Sequence, residues 1–411
     1  MVTMTTLNVS LLRQDFPILQ QTVHGKPLIY LDSAATSQKP EAVLRALDTY
    51  YRTTNANIHR GVYQLAEQAT EEYERARKKV QKFINAKSWR EIVWTRNATE
   101  ALNLIAYTWG RQNIRAGDEL VISMLEHHSN IVPWQLLAQA QGATLKHIPA
   151  DAQGQLALDQ LDQIITPKTK LVAVTMMSNV TGAITPLDPI MARARAVGAV
   201  TVIDAAQSAP HMPLDVQKLD CDFLAFSGHK MLGPFVGVLY GKKALLEAMP
   251  PFLGGGDMIR QVRLYDSSWN DLPYKFEAGT PAIAEAIGLG AAVDYLNALG
   301  MENVRAHEME LTAYCLAKLA EVPKLRVLGP TNVAERGGLA AFEMQNIHPH
   351  DIAGMLDRDA ICIRAGHHCA QPLHDFYDLS ATARASFYVY NTPAEIDQLV
   401  VALQKVSQTF K

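Results

Sequence analysis

Val200-Thr201-Val202-Ile203-Asp204-Ala205-Ala206-Gln207 and Leu224-Ala225-Phe226-Ser227-Gly228-His229-Lys230 are two short apolar runs, each leading into a charged residue among small neighbours. Brief branched or aromatic runs bounded by Gly, Ser and Ala read as strands buried on both faces. Working outward, similar runs occupy Glu91–Thr95, Glu119–Ser123, Lys170–Met176, Val200–Ile203, Asp222–Phe226 and Gly237–Tyr240. Helical patterns lie between them. Thr70–Ile84 places Tyr73, Ala76, Val80, Phe83 and Ile84 at helical spacing and sets Glu71 one turn before Arg75. Strands separated by helices predict an α/β fold, a mostly parallel central sheet flanked by helices.

The chain has 411 residues, of which 48% are hydrophobic, and a net charge of −3. That length suits two packed domains. A Gly- and Pro-rich stretch at Pro250–Asp257 leads into an alternating segment, Met258–Leu264, that reads as part of a hairpin. From about Met301 the pattern changes to a long helix (Val304–Leu319), short strands at Gly338–Met344 and Ile361–Arg364, and a terminal helix at Pro393–Gln408. The expected organisation is an N-terminal segment (1–25) packing with the small domain, a large domain (26–299) and a smaller α+β C-terminal domain (300–411). Interleaved charges give no expectation of nucleic acid or an anionic membrane as partner. The N-terminus lacks the basic flank and apolar core of a secretory signal, and no run is long enough to span a bilayer. Four cysteines are too sparse for a disulfide framework, so a reducing, cytoplasmic setting is expected.

In open α/β sheets, ligands bind beyond the carboxyl ends of the strands. The polar residues that follow each apolar run are Asn97-Ala98-Thr99-Glu100, Glu126-His127-His128, Ser178-Asn179, Asp204 with Gln207, and Ser227 with His229 and Lys230. A lysine at one strand end and an aspartate at another is the pattern that pyridoxal phosphate requires. The lysine holds the cofactor as a Schiff base, and the aspartate keeps the pyridine nitrogen protonated. Thr99 and the helix-opening amides of 98–99 suit a phosphate. Asn179 and Gln207 suit the ring phenolate, and His127 suits ring stacking and proton movement near neutral pH. Ser227 and His229 flank the lysine and can bind phosphate. Plain alternatives stand beside each reading: a solvated loop cation for Lys230, helix caps for Thr99 and Asp204, and a structural imidazole for His127.

A second cluster is Ile361-Cys362-Ile363-Arg364-Ala365-Gly366-His367-His368-Cys369-Ala370. Neighbouring cationic groups raise the thiolate fraction of a cysteine, which makes Cys369 a candidate nucleophile. Arg364 and Arg384 each offer a planar fork to a carboxylate. A metal held by His367, His368 and Cys369 is the alternative, but adjacent side chains diverge and no spaced ligand set accompanies them; no metal is expected. Cys362, Cys221 and Cys315 read as core thiols.

These motifs resemble the SufS-type cysteine desulfurases. They comprise Ser-Gly-His-Lys, Asp-Ala-Ala-Gln-Ser, Glu-His-His-Ser-Asn-Ile-Val-Pro-Trp (126–134), Phe-Glu-Ala-Gly-Thr-Pro (276–281) and Arg-Ala-Gly-His-His-Cys-Ala-Gln-Pro (364–372). SufS-type enzymes form the group II branch of the class V aminotransferase-like, fold-type I pyridoxal phosphate family, also called selenocysteine lyases. The similarity runs from Tyr30-Leu31-Asp32-Ser33 to Tyr390-Asn391-Thr392. Ser-Gly-His-Lys points only to the superfamily; the run around Cys369 is more specific. The resemblance implies Lys230 as the Schiff-base lysine, Asp204 at the pyridine nitrogen, Gln207 at the phenolic oxygen and His127 over the ring. It implies Thr99, Ser227 and His229 at the phosphate, with Thr280 reaching that phosphate from the other subunit of a homodimer. Asn179 and Arg384 would bind the substrate carboxylate, with Arg364 and His59 close by, and Cys369 would form a persulfide. It also implies L-cysteine as substrate, L-selenocysteine as a second one, and a SufE- or SufU-like sulfur acceptor feeding iron–sulfur cluster assembly. One departure is Ala98, where family members often carry a first threonine of the phosphate turn. The short loop before Cys369 is similar to group II rather than to the IscS/NifS-like branch.

Overall fold

The computed structural model describes residues 7–410. Seven strands form the central sheet: β1 (Ile92–Thr95), β2 (Glu119–Ser123), β3 (Thr144–Ile148), β4 (Thr169–Thr175), β5 (Val200–Asp204), β6 (Phe223–Ser227) and β7 (Gly237–Gly241). Their order is β1-β7-β6-β5-β4-β2-β3, parallel throughout except that β7 runs antiparallel to both neighbours. Side chains alternate between two cores because strand periodicity is two. Trp94, Val121, Val172, Ile203, Leu224 and Val238 enter one; Val93, Ile122, Leu171, Val202, Phe223 and Leu239 enter the other. Both faces are covered, which is why these strands read as continuous apolar runs. β3 is the strand that sequence reading misses. It is an edge strand in which only Ile148 is buried, so it carries no apolar run.

Helix α1 (Gln64–Phe83) starts six residues earlier than its pattern predicts, because its first turns bury only Ala66 and Ala69. The Glu71–Arg75 pair forms at 2.6 Å. α1 packs along a later helix, and a Cβ at Gly290 on that helix would come within 2.9 Å of Ala76 Cβ. Beneath this contact lies a buried ionic knot. Arg77 donates to Glu277 at 2.6 and 3.0 Å, and Glu277 also accepts from the Trp94 N–H and the Tyr73 hydroxyl. Removing one member of a buried pair leaves the other charge uncompensated. Glu277→Ala therefore costs about 3–5 kcal/mol of stability, measurable by denaturant unfolding, and a loss below about 1 kcal/mol contradicts this reading.

Four antiparallel strands make a second sheet: β8 (Leu325–Val327), β9 (Leu339–Met344), β10 (Arg364–Gly366) and β11 (Thr382–Ser386), in the order β8-β9-β11-β10. Its own core joins Phe342, Ala383 and Ala385 to Leu311, Cys315 and Leu319 of the Met301–Leu319 helix and to Ile396, Leu399 and Leu403 of the Pro393–Thr409 helix. Near the N-terminus, Arg13 pairs with Glu395 at 2.8 Å, and the Phe16 ring meets Tyr390 edge-on at 4.9 Å. Residues 1–6 and 411 of the expected terminal regions lie outside the described residues.

The single strand expected over Ile361–Arg364 is in fact two. Ile361–Cys362 pairs in parallel with Ile29–Tyr30, while Arg364–Gly366 joins β11. The chain changes sheets at Ile363, and this brings Asp32 beside Arg364. Cys362 is half-buried rather than core, whereas Cys221 and Cys315 are buried. Ile259–Val262 and Ser267–Trp269 form the hairpin anticipated from Met258–Leu264. Among the described residues no helix is long and apolar enough to cross a membrane.

Candidate active site

A cavity of about 260 Å³ opens where β1, β4, β5 and β6 end. It is lined by Thr99, His127, Asn179, Asp204, Gln207, Ser227, His229 and Lys230, and by Arg364, His368, Cys369 and Arg384 from the second sheet and its loop. Register explains the gathering. Thr175 sits opposite Asp204, and Asp204 opposite Ala225, so the residues following these strands share one edge. The phosphate-type turn is built by close backbone approach. A Cβ on Gly237 of β7 would fall 2.4 Å from Asn97 backbone atoms. Asn97 caps the Ala98–Ile105 helix by accepting from the Glu100 N–H at 2.9 Å, Ser227 Oγ accepts from the Ala98 N–H at 2.9 Å, and Thr99 Oγ1 meets Ser129 Oγ at 2.6 Å. The Ala98 amide that sequence reading offered to an anion is thus spent on Ser227 Oγ at the cavity wall.

Lys230 follows a turn pinned from one side. The His229 carbonyl accepts from the Ser37 N–H at 2.9 Å, Thr36 Oγ1 at 3.0 Å and Lys39 Nζ at 3.1 Å. Burial lowers the Lys230 pKa to about 8, partly opposed by Asp204. Half of the amine is then uncharged at pH about 8 instead of 10.5. A neutral amine is what attacks a carbonyl, so capture of an aldehyde cofactor by stripped protein should rise through pH about 8 and then level. A rate still climbing above pH about 10, the range of an ordinary lysine, contradicts this. Burial also raises Asp204, against the Ala206 N–H and Lys230.

His127 differs from its sequence reading in one respect. Burial and then Lys230 hold its pKa down to about 3, so the ring stays neutral across the neutral range and does not titrate there. Its Nδ1 accepts from the Ser129 N–H at 3.1 Å, which places the ring proton on Nε2. Glu126 holds this turn. It accepts from Ser123 Oγ at 2.5 Å, Asn130 Nδ2 at 2.6 Å and the Thr175 N–H at 2.8 Å, and burial pushes it up to about 8.

The loop bearing Cys369 is strained. His368 and Cys369 have φ of 52° and 58°, a left-handed pair that costs about 1–3 kcal/mol per non-glycine residue. It is held in place by Asn179 Nδ2 donating to the His368 carbonyl at 2.6 Å and the His128 N–H donating to the Cys369 carbonyl at 2.7 Å. Cys369 lines the cavity and is also exposed. The two arginines are not equally open. Asp32 fills the Arg364 fork at 3.0 and 3.2 Å and reaches Arg384 Nη2 at 3.3 Å. Arg384, 2% exposed, gives Nη1 to the Asn179 carbonyl at 2.8 Å, and its Nε has no partner among the described residues. Burial lowers its pKa to about 10. Asp32 was not singled out from sequence; its only signal is its place two residues after the Ile29–Tyr30 strand.

His59 and Thr280 do not line this cavity. His59 sits with the Arg77 knot, its Nε2 meeting Glu74 at 3.2 Å and its ring lying 4.9 Å from Tyr274, and Thr280 is exposed three residues after Glu277. Among the described residues no group of three or more His, Cys, Asp or Glu is placed to hold a metal.

Gln207 Oε1, His229 Nδ1 and Arg384 Nε are buried without partners among the described residues, around a cavity holding a lysine, an aspartate and helix-opening amides. Pyridoxal phosphate fits this set: Gln207 commits one amide hydrogen to the Ala34 carbonyl at 2.8 Å and keeps the other. Fold and site together define a fold-type I pyridoxal phosphate-dependent enzyme. The aminotransferase class-V family matches residues 29–399, and the chain belongs to it. A probable cysteine desulfurase of Synechocystis sp. is 54% identical over 97% of this chain and 95% of its own length. Among solved structures, the cysteine desulfurase CsdA of Escherichia coli, with an S-sulfonic acid, is 40% identical over 99% of this chain and all of that one, with a TM-score of 0.92. A cysteine desulfurase from Thermococcus onnurineus NA1, in its apo form, is 38% identical over the full length of both chains, with a TM-score of 0.94.

Proposed function

We propose that this chain is a SufS-type cysteine desulfurase that converts L-cysteine to L-alanine and stores the sulfur as a persulfide on Cys369. One observation carries the reading: an exposed thiol lines the same cavity as Lys230 and Asp204. Lys230 would hold the cofactor covalently, with Asp204 at its ring nitrogen, Gln207 at its phenolic oxygen and His127 against its ring. Thr99, Ser227 and His229 would hold its phosphate. Bound there, pyridoxal phosphate acts as an electron sink that labilises the Cα–H and weakens the C–S bond of an amino acid. Arg384 receives the substrate carboxylate through its uncommitted Nε–H, with Asn179 and Arg364 alongside. Lys230 Nζ takes the Cα proton. Cys369 Sγ, as thiolate, attacks the substrate sulfur; the S–S bond forms as C–S breaks, the electron pair stays with the carbon, and protons from Lys230 and solvent complete the Cα–H and methyl of alanine.

The exposed position of Cys369 supports onward transfer to an acceptor protein of the SufE or SufU kind, supplying iron–sulfur cluster assembly in the cytoplasm. L-Selenocysteine is the second substrate of this reading. Thr280, which does not line the chain's own cavity, is assigned to the phosphate of a second copy in a homodimer, and His59 to the neighbourhood of the substrate. The hairpin that exposes Leu264 and Tyr265 supports such a contact. The proposed division into segment 1–25, large domain 26–299 and small domain 300–411 is supported by the core of the second sheet, which draws mainly on residues after 300. The test is alanine release from L-cysteine by purified holoenzyme without any keto acid. Turnover that depends on a keto acid instead identifies a transaminase.

A further inference from the structure

The imidazoles behind Cys369 form an ordered chain. His374 Nδ1 lies 3.0 Å from the Ala370 carbonyl oxygen. A carbonyl only accepts, so Nδ1 carries the proton. Burial lowers the His374 pKa; the ring is neutral and Nε2 bears a lone pair. Nε2 lies 3.0 Å from Thr382 Oγ1, and the hydroxyl spends its single proton there. The same oxygen lies 3.0 Å from His368 Nε2 and has only a lone pair left for it. His368 must then carry its proton on Nε2. Burial, then Arg384, lowers its pKa to about 2, so Nδ1 is a bare acceptor at neutral pH. That Nδ1 is buried without a partner among the described residues, on a side chain 8% exposed that lines the cavity.

A buried acceptor left bare is costly, and a site that keeps one is shaped to receive a donor. The other open groups of the cavity sort by charge. Arg384 Nε takes a carboxylate, while Lys230, Asp204 and Gln207 face the cofactor, which engages the amino nitrogen. The donor left over in a cysteine-handling site is a sulfhydryl. We infer that the His374–Thr382–His368 chain fixes the tautomer of His368 so that its Nδ1 accepts a hydrogen bond from a thiol S–H in the cavity. His368 and Thr382 are positioning residues. The choice of a thiol rests on the proposed desulfuration, whereas the tautomer follows from the hydrogen bonds of two neutral rings. The S–H belongs either to the substrate or to Cys369, and the experiment separates the two.

The measurement is nitrogen NMR of the holoenzyme labelled with ¹⁵N-histidine, with His368 assigned through His368→Asn. The expected result is an unprotonated Nδ1 and protonated Nε2 at His368, and the reverse at His374. Adding L-cysteine to Cys369→Ala shifts the His368 Nδ1 signal toward the hydrogen-bonded range, and S-methyl-L-cysteine does not, if the substrate is the donor. A shift already present in resting enzyme and lost in Cys369→Ala assigns the donor to Cys369. Thr382→Val mixes the tautomers and lowers kcat/KM for L-cysteine about tenfold, the loss of roughly one hydrogen bond, and Thr382→Ser restores both. A proton on His368 Nδ1, or a signal indifferent to both thiols, overturns the inference. If desulfuration itself is wrong, alanine formation is absent while the tautomer stands; if only this inference is wrong, alanine still forms with His368 protonated at Nδ1.

Discussion

Cys369→Ala is expected to bind cofactor normally, keep its visible absorbance and lose alanine formation from L-cysteine on the order of 10³-fold or more, because no other thiol can take the sulfur. Cys362, the next candidate in sequence, is half-buried in a different strand pairing, and burial raises its pKa. Cys221 and Cys315 are fully buried, with thiols pushed up to about 12, where thiolate is negligible at neutral pH. L-Selenocysteine should still turn over in this variant, since a selenol leaves carbon without needing a nucleophile to capture it. Retained full activity on L-cysteine contradicts the role of Cys369.

Lys230→Ala is expected to be the more severe change. It removes both the covalent anchor of the cofactor and the amine that moves the Cα proton, and loss of proton transfer alone costs about 10²–10⁴-fold. Both substrates should fail together, unlike in Cys369→Ala. The depressed pKa of Lys230, about 8, suits it to act as a base once freed, which an ordinary surface lysine is not. A variant that keeps the absorbance of covalently held cofactor, or turns over L-selenocysteine at the original rate, excludes this role.

Much of the site was legible because its signals are local. Asp204, Lys230 and His127 each sit directly after an apolar run, and the run predicts both the strand and its end. What stayed hidden depends on contacts distant in sequence. Asp32 reaches Arg364 and Arg384 across more than three hundred residues, through a chain crossing at Ile363 that periodicity cannot reveal. The pinning of the Lys230 turn by Thr36, Ser37 and Lys39 is of the same kind. His127 was recognised by position, but burial, which sequence does not report, keeps it neutral. His374 carried no signal either. Its part in setting His368 appears only because both rings converge on the one hydroxyl of Thr382. Edge strand β3 failed for the opposite reason: it is too exposed to show an apolar run.

The central claim is that the cofactor on Lys230 serves to deliver sulfur to Cys369. Its most direct test is peptide mass spectrometry of holoenzyme after a single turnover of L-cysteine with no acceptor present. The account predicts one added sulfur atom on the peptide carrying Cys369, matched by one alanine per site. Free sulfide in solution with Cys369 unmodified, or added sulfur on the peptide segment carrying Cys362, contradicts it.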